Sequence, residues 1–252
     1  MKFLGVDIGF SSIKHGAVNL GGKIKVDNFG TIVIPQESRA EKYFSALKSI
    51  IEQHSPYLAA GFGFPSVVRD NTILRDDVEF NEIWHKIEDI FIQNGIPCYP
   101  LNDADASGIA EVYREGAEDL RKGATIVLTL GSGIGSAIFV DGRLLPNTEL
   151  GLIEMNGIFS EFYCAPSIKT KESLTLEVWA ERFQRYLEMV DILLAPDHIV
   201  LTGGIIVDFD NYKHLLKTRA SLQAAYYRHQ AGVVGAAIYA AHQSKNTMLD
   251  QL

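Results

Sequence analysis

Residues 124–145 read ATIVLTLGSGIGSAIFVDGRLL, and this stretch decides the fold class. Two apolar runs flank a glycine turn, and an Asp-Gly turn leads into a third run, which predicts a meander of antiparallel strands. The start of the chain shows the same arrangement, because short glycine turns separate the runs KFLGVDI (2–8), SSIKHGAVNL (11–20) and KIKVDNFGTIVI (23–34). The second meander therefore echoes the first.

Helices and strands alternate after each meander. Apolar residues at helical spacing predict helices at 39–54, 82–93, 104–118, 174–194 and 232–243. Short apolar runs predict further strands at 58–65, 96–101 and 197–204. We therefore expect an α/β protein with two lobes facing a central substrate cleft. The expected division is a small N-terminal lobe at 1–107, completed by a C-terminal helix within 230–252, and a large lobe at 108–229.

The composition argues against several classes of protein. The chain of 252 residues is 47% hydrophobic and 21% charged, as is typical of globular proteins. Its net charge of -8 argues against a nucleic-acid partner, which needs a basic surface. No apolar run reaches the ~20 residues that span a membrane, and MKFLGVDIG does not resemble a signal peptide. Cys98 and Cys164 form neither a disulfide framework nor a metal motif, so we expect a cytoplasmic protein.

Two glycine-containing turns are candidate anion sites. In DIGFSSIK (7–14), Asp7 ends a strand and can hold Mg²⁺ through water, while the turn offers backbone N–H groups and hydroxyls. In LGSGIGS (130–136), glycines let the backbone approach a phosphate closely. A strand rather than a helix follows, and the spacing is G-x-G-x-G, so this is not a dinucleotide fingerprint. An ordinary hairpin turn is the alternative for both stretches.

The stretch LNDADASG (101–108) follows an apolar run and precedes a predicted helix. A hydroxyl nucleophile needs a carboxylate within hydrogen-bond reach, and Asp103 is the candidate for this general base. Asn102 can orient a substrate hydroxyl because its amide both donates and accepts hydrogen bonds. Helix capping is the alternative for this pair, although one cap accounts for only one of the two side chains. We interpret Asp105 as a helix-start residue.

Two further motifs are open to both a functional and a structural interpretation. NTELGLIE (147–154) places Glu149 and Glu154 in a loop, where they are either sugar-binding carboxylates or solvated surface residues. LTGG (201–204) ends a predicted strand with two glycines. These glycines either approach a phosphate chain or an adenine, or they form a simple strand-to-helix turn.

With these motifs in this order, the chain resembles the ASKHA superfamily, to which sugar kinases and actin belong, and in particular the ROK family and its polyphosphate/ATP glucokinases. The resemblance runs from DIGFSSIK through GFGFPSVV, FNEIW and LNDADASGIAE to the second meander, LTGG and AGVVGAA. It implies two ribonuclease-H-like lobes of the actin-like ATPase fold around a sugar cleft. It also implies a homodimeric kinase that uses Mg²⁺ to transfer a phosphoryl group from polyphosphate or ATP to the 6-hydroxyl of glucose or a related hexose.

Residue roles follow from the match to the family's motifs. Asp103 is the implied general base for the sugar hydroxyl. The implied sugar-binding residues are Asn81, Asn102, Glu149 and, from the loosely matched SEFYCA, Glu161. The implied phosphate- or nucleotide-binding residues are Asp7, Gly9, Ser11, Ser12, Lys14, Gly131, Ser132, Gly133, Gly203 and Gly204. For the lysine, an exposed strand residue without a ligand is the alternative.

Four departures from the family pattern bear on function. The cysteine cluster of zinc-containing members is absent, so no structural zinc is expected. Phe10 replaces the second glycine of the first loop, and Ser66 replaces the glycine of FPG. Leu152 replaces the histidine of the ELGH motif, and a leucine cannot hydrogen-bond a sugar hydroxyl. Two alternatives follow from this leucine, a kinase with a different acceptor and a non-catalytic sugar-binding ROK protein. Asp103 together with both phosphate loops favours a kinase.

Overall fold

Two five-stranded sheets, two two-stranded sheets and eight α-helices are the main elements of the described part of the chain. The computed structural model describes residues 1–34, 39–74 and 78–249. Its strands are β1 (Lys2–Ile8), β2 (Ser12–Asn19), β3 (Lys25–Val33), β4 (Ala60–Phe64), β5 (Val68–Arg69), β6 (Thr72–Ile73), β7 (Cys98–Asn102), β8 (Ala124–Leu130), β9 (Ile134–Val140), β10 (Arg143–Leu145), β11 (Glu154–Met155), β12 (Ile158–Phe159), β13 (His198–Gly203) and β14 (Ser221–Ala224). Its α-helices are α1 (Arg39–His54), α2 (Val78–Asn94), α3 (Asp103–Val112), α4 (Glu161–Cys164), α5 (Pro166–Lys171), α6 (Leu176–Leu194), α7 (Phe209–Tyr212) and α8 (Ala231–Leu249).

The two large sheets have the same topology. Their strand orders are β3-β2-β1-β4-β7 and β10-β9-β8-β13-β14. In each sheet the first three strands along the chain pair antiparallel, and the next two add in parallel. The sequence similarity between the two meanders therefore reflects a structural repeat. The predicted α/β class is confirmed.

The described residues fall into two units, one from those within Met1–Ala110 and Gly232–Leu252 and the other from those within Glu111–Ala231. Part of the predicted C-terminal helix segment, residues 250–252, lies outside the described residues. In the first unit, α1 and α2 cover one face of the sheet with a core that includes Tyr43 and Trp84. The alanines of α8 pack on the other face.

The second unit is built around the long helix α6. Its buried face carries Trp179, Phe183 and Tyr186. The indole N–H of Trp179 donates to the carbonyl of Cys164 over 2.8 Å, and the ring stacks on that of Phe183. The predicted apolar stripe of this helix is therefore core. Within the described residues, no helix combines the length and the apolar character that crossing a bilayer requires.

Several elements differ from the sequence predictions. The helix predicted at 104–118 ends at Val112, and Gly116 beyond it has a φ of 77°, outside the helical region. The segment after LTGG begins as a 3₁₀ helix at Gly204–Asp208 instead of an α-helix. The short strand β14 was not predicted, because its four residues carry no apolar run and are ordered by parallel pairing with β13.

Candidate active site

The first glycine turn, Gly9–Ser11, joins β1 to β2. The amide of Gly9 donates to the carbonyl of Ser12 over 2.9 Å and closes the hairpin. The phenol of Tyr43 donates to the carbonyl of Gly9. The ring of Phe10 is 50% exposed and stands edge-on to Phe80, with ring centroids 5.7 Å apart. The turn is thus fixed by its neighbours and keeps the hydroxyl-bearing Ser11 exposed.

An ion pair lies beside this turn. Asp7 and Lys14 are opposite each other in the β1–β2 ladder, and Lys14 Nζ lies 2.8 Å from Asp7 Oδ2. Asp7 is the main cause of the raised pKa of Lys14, which burial opposes and to which the Asp103 carboxylate also contributes. The lysine is therefore an ammonium at neutral pH, within electrostatic range of two carboxylates.

Asp103 reaches this region because β4 carries a glycine. Gly63 pairs with Asp7 in the parallel β1–β4 ladder. A Cβ at Gly63 would lie 3.4 Å from the Cα of Asp103, so the start of α3 rests directly on this strand. Within the fully described stretch Leu101–Val112, Asp103 is the only residue that is not buried. Asp7 and Lys14 on the sheet and Asp103 at the start of α3 therefore form a row in the first unit.

Asn102 holds the start of α3 in place. Its Oδ1 accepts a hydrogen bond from the amide of Asp105 over 3.0 Å, which is an N-cap interaction. Its Nδ2 donates to the carbonyl of Ser66 over 3.2 Å. The capping alternative thus accounts for this side chain, and Asp103 Oδ1 also accepts a hydrogen bond at the helix start, from the amide of Ala104 over 2.7 Å.

Two side chains of the first unit, Ser66 and Asn81, carry a buried polar atom that lacks a protein partner. Asn81 Oδ1 and Ser66 Oγ have no hydrogen-bond partner among the described residues. On α2, Asn81 directly follows Phe80, whose ring contacts Phe10 of the first glycine turn. A buried acceptor without a donor costs free energy that a bound hydroxyl offsets.

The second glycine turn, Gly131–Gly133, joins β8 to β9 in the second unit. The amide of Gly131 donates to the carbonyl of Gly133 over 3.1 Å. Ser167, near the start of α5, braces the turn with its amide to the Gly131 carbonyl (3.2 Å) and its hydroxyl to the Ser132 carbonyl (2.6 Å). The brace was not predicted, because 35 residues separate the two hydroxyl-bearing residues.

Both predicted sugar-binding glutamates of the second unit follow β9 in the chain, and one of them touches the second turn. A Cβ at Gly133 would overlap Glu161 Oε2, which places this carboxylate against the turn. Glu149 begins the segment that leads to Leu152, whose amide donates to the Glu149 carbonyl over 3.1 Å. Ser136 secures this segment, because its Oγ accepts from the amide of Leu150 over 3.0 Å. The side chain of Leu152 is partly exposed.

Gly203 and Gly204 follow the end of β13. Gly203 has a φ of 98°, and a Cβ there would overlap the carbonyl of Leu130, the residue that precedes the second glycine turn. The chain then turns into the 3₁₀ helix Gly204–Asp208. The second unit therefore brings Gly203 to the base of the Gly131–Gly133 turn.

The residues present suit a hydrated Mg²⁺ shared with a phosphate chain, and not a metal held by protein ligands alone. Asp7 is a single carboxylate beside the hydroxyls of the first turn, and Gly232 leaves room for it against the first turn of α8. Among the described residues, no three His, Cys, Asp or Glu side chains are grouped so that they hold a metal ion. Mg²⁺ commonly binds one or two carboxylates and completes its shell with water and phosphate oxygens.

Known proteins resemble this chain over nearly its whole length. The sequence profile of the ROK family matches residues 3–165. A polyphosphate glucokinase of Mycobacterium leprae (strain TN) is 34% identical over 239 residues, which cover 93% of this chain and 73% of the relative. A polyphosphate glucokinase of Mycobacterium tuberculosis (strain CDC 1551 / Oshkosh) is 32% identical, with 93% and 89% covered. The crystal structure of an inorganic polyphosphate/ATP-glucomannokinase from Arthrobacter sp. strain KM superposes with a TM-score of 0.85 at 31% identity, with 96% and 99% covered.

Proposed function

Because the chain belongs to the ROK family, we propose that it is a kinase that transfers a phosphoryl group from polyphosphate or ATP to the 6-hydroxyl of glucose or a related hexose. The observation that carries this proposal is the row formed by Asp7, Lys14 and Asp103 at one end of the first sheet. Relatives named as polyphosphate glucokinases support the same reaction.

Asp103 is the general base. Its carboxylate takes the proton of the sugar 6-hydroxyl as that oxygen attacks the terminal phosphorus of the donor. The bond between this phosphorus and the bridging oxygen breaks, and the donor leaves as ADP or as a polyphosphate shortened by one unit. A base of this kind contributes ~10²–10⁴-fold to the rate. The partial exposure of Asp103 within a buried stretch supports this role.

Polar side chains are the proposed binding residues for the hydroxyls of the sugar. Asn81 offers a buried Oδ1 that a substrate hydroxyl would satisfy. Asn102 orients the adjacent base through its hydrogen bonds to Asp105 and Ser66, and its amide group retains a second N–H for the sugar. Glu149 and Glu161, both in the second unit, supply carboxylates that accept hydrogen bonds from further sugar hydroxyls.

Each glycine turn is a phosphate-binding element of its own unit. Backbone N–H groups and hydroxyls of Gly9, Ser11 and Ser12 form the first binding element, and Gly131, Ser132 and Gly133 form the second. Lys14 adds a positive charge where negative charge develops in phosphoryl transfer. Gly203 and Gly204 approach the far part of the donor. Asp7 would hold Mg²⁺ through water, and this ion would neutralise charge on the donor phosphates.

The protein works as a homodimer in the cytoplasm, with residues 1–107 and the C-terminal helix as one lobe and residues 108–229 as the other. The family suggests the dimer. The two cysteines support a reducing compartment, because Cys98 and Cys164 are free thiols.

The test is a coupled assay of the purified protein with a panel of hexoses and with ATP or polyphosphate as donor. We expect turnover of glucose or a close epimer with at least one donor, and ³¹P NMR should show a 6-phosphate ester. Turnover of a hexose other than glucose would favour the altered-acceptor alternative that Leu152 raises. Sugar binding in calorimetry without turnover by either donor would contradict the proposal and favour a sugar-binding protein.

A further inference from the structure

A three-residue segment of the second unit, Tyr226–Arg228, is held by a buried carboxylate. The amides of Tyr226 and Tyr227 donate to the two carboxylate oxygens of Glu111 over 2.8 and 2.9 Å. Glu111 is 1% exposed, and its burial raises the pKa that these two bonds lower. The guanidinium of Arg114 lies 5.2 Å from the ring centroid of Tyr226. Burying a carboxylate is costly, so a side chain committed to two consecutive amides fixes this segment firmly.

The segment ends on an arginine in a strained conformation. Arg228 has a φ of 51°, a left-handed conformation that suits glycine or asparagine and disfavours a long side chain. Its carbonyl faces the hydroxyl of Thr202 at 3.5 Å, and its side chain is exposed. Strain of this kind persists where the surrounding structure imposes it, and it clusters at functional sites.

The arginine lies beside the two glycines proposed to approach the donor. Thr202 directly precedes Gly203, and the 3₁₀ helix Gly204–Asp208 adjoins the one formed by Arg228–Gln230. β14 runs parallel to β13, so both segments emerge at the same carboxyl edge of the sheet. Ligands of open α/β sheets bind outside this edge.

The charge at this position suits a polyanion. Asp210 forms an ion pair with Lys213, and its pKa is lowered first by this lysine and also by Arg228. The arginine therefore lies within electrostatic range of a carboxylate that Lys213 already pairs. Beyond its phosphates ATP offers an uncharged nucleoside, whereas a polyphosphate chain continues to offer anionic oxygens, which a guanidinium binds in a fork.

We propose that Arg228 is a donor-binding residue that selects polyphosphate, because its guanidinium contacts phosphate groups of the chain beyond those held at Gly203 and Gly204. This inference rests on the proposed function and assigns one determinant of its donor. The buried Glu111 is the positioning residue of the segment, and it does not touch the donor.

The test uses Arg228→Gly, because glycine accepts the left-handed conformation and removes the guanidinium together with the rest of the side chain. We expect the KM for long-chain polyphosphate to rise at least about fivefold, the KM for ATP and for the sugar to stay within about twofold, and the thermal midpoint to be kept or raised. Arg228→Lys should restore part of the affinity. Direct titration of the free enzyme with polyphosphate should show the same loss without turnover.

The matched control is Arg219→Gln, which removes an exposed arginine near the start of β14, at the opposite edge of the sheet. It should leave the KM for polyphosphate unchanged. An unchanged KM in Arg228→Gly, an equal rise for ATP, or an equal rise in the control would overturn the inference. Wild-type turnover with ATP alone would also overturn it while the proposed function stands, whereas absence of turnover with both donors would remove the proposed function itself.

Discussion

Asn102 and Asp103 both lie at the start of α3 but have different roles. Asn102 caps α3 and bonds the carbonyl of Ser66, so it fixes the first turn of the helix from two sides. Asp103 is carried by that turn over Gly63, where no side chain of β4 obstructs it. A base must be held within hydrogen-bond reach of its proton, and a capped helix start on a sheet provides that rigidity.

A single substitution at Leu152 tests how the protein binds its sugar acceptor. It lies in the segment that begins with Glu149, and its partly exposed side chain offers no hydrogen bond. We predict that Leu152→His lowers the KM for glucose about three- to tenfold, because a new hydrogen bond to a hydroxyl contributes ~0.5–1.5 kcal/mol. Steady-state kinetics across the hexose panel measure this effect.

Leu152→Ala is the control for this variant, since it removes bulk and adds no donor or acceptor. It should not lower the KM. If the histidine variant leaves the KM for glucose unchanged or raises it, Leu152 does not occupy the position of a sugar-contacting residue.

At the scale of elements, the small residues of α8 allow backbone to meet backbone. A Cβ at Gly235 would overlap the carbonyl of Ala106 on α3, and one at Gly61 of β4 would overlap the carbonyl of Ala236. The Ala- and Gly-rich composition of this helix permits such close packing. Because α8 packs against the backbones of both α3 and β4, it contributes to the placement of Asp103.

We therefore predict that Gly235→Ala lowers the free energy of unfolding by about 2 kcal/mol or more, since overpacking against a backbone carbonyl is not relieved by a rotamer change. Gly21→Ala is the matched control, because its Cβ would meet only the backbone nitrogen of Met1 at 3.4 Å and should change stability by less than about 0.5 kcal/mol. Urea denaturation followed by circular dichroism compares the two. Equal stability of both variants would show that α8 is not packed as described.

Elements with strong local patterns could be predicted from sequence, and elements defined by distant partners could not. Arg39–His54 matches the predicted helix because its apolar residues recur at helical spacing. α3 ends at Val112, where side chains bond distant partners: Glu111 accepts from the amides of Tyr226 and Tyr227, and the Tyr113 hydroxyl donates to the carbonyl of Gly142. The β5–β6 hairpin had a usable signal that was missed, since Asp70 and Asn71 both have positive φ in its two-residue turn.

At the scale of the whole molecule, the repeat was visible in sequence because both meanders place a glycine turn between their first two strands. The predicted ends of strands also identified candidate site residues, such as Asp7 and Asp103. Residues that act through tertiary contacts were not found. In the sequence, Glu111 is a single charged residue in an otherwise apolar part of the predicted helix. No neighbouring residue in the sequence indicates that it accepts hydrogen bonds from the amides of Tyr226 and Tyr227.

A buried histidine pair makes the stability of the protein sensitive to acid. His15 Nδ1 and His54 Nε2 lie 2.8 Å apart, and both side chains are buried. Burial is the main cause that lowers the pKa of His54 to about 4, with His15 and Lys2 adding to it, and burial also lowers the pKa of His15. The folded state therefore binds fewer protons than the unfolded state below the ordinary histidine value of 6.5. Stability is present above that pH and is lost as the pH falls towards 4.

We predict that the thermal midpoint falls between pH 6.5 and 5, a range in which most carboxylates are already ionised. His54→Gln keeps a polar partner for His15 and removes one titrating group, so its midpoint should fall less over this range. Differential scanning calorimetry at a series of pH values measures both proteins. Parallel profiles would show that the pair does not carry the acid sensitivity.

The most direct test of the account is the turnover of Asp103→Asn with the best sugar and donor of the wild-type enzyme. The account predicts a loss of at least ~10²-fold in kcat, with sugar binding and the thermal midpoint retained, because the amide keeps the shape of the side chain and cannot take the proton. The control is Asp105→Asn, a change at a buried residue of the same helix, which should lower the thermal midpoint and leave kcat largely unchanged. A kcat for Asp103→Asn within about twofold of wild type would contradict the assignment of the general base and, with it, the proposed mechanism.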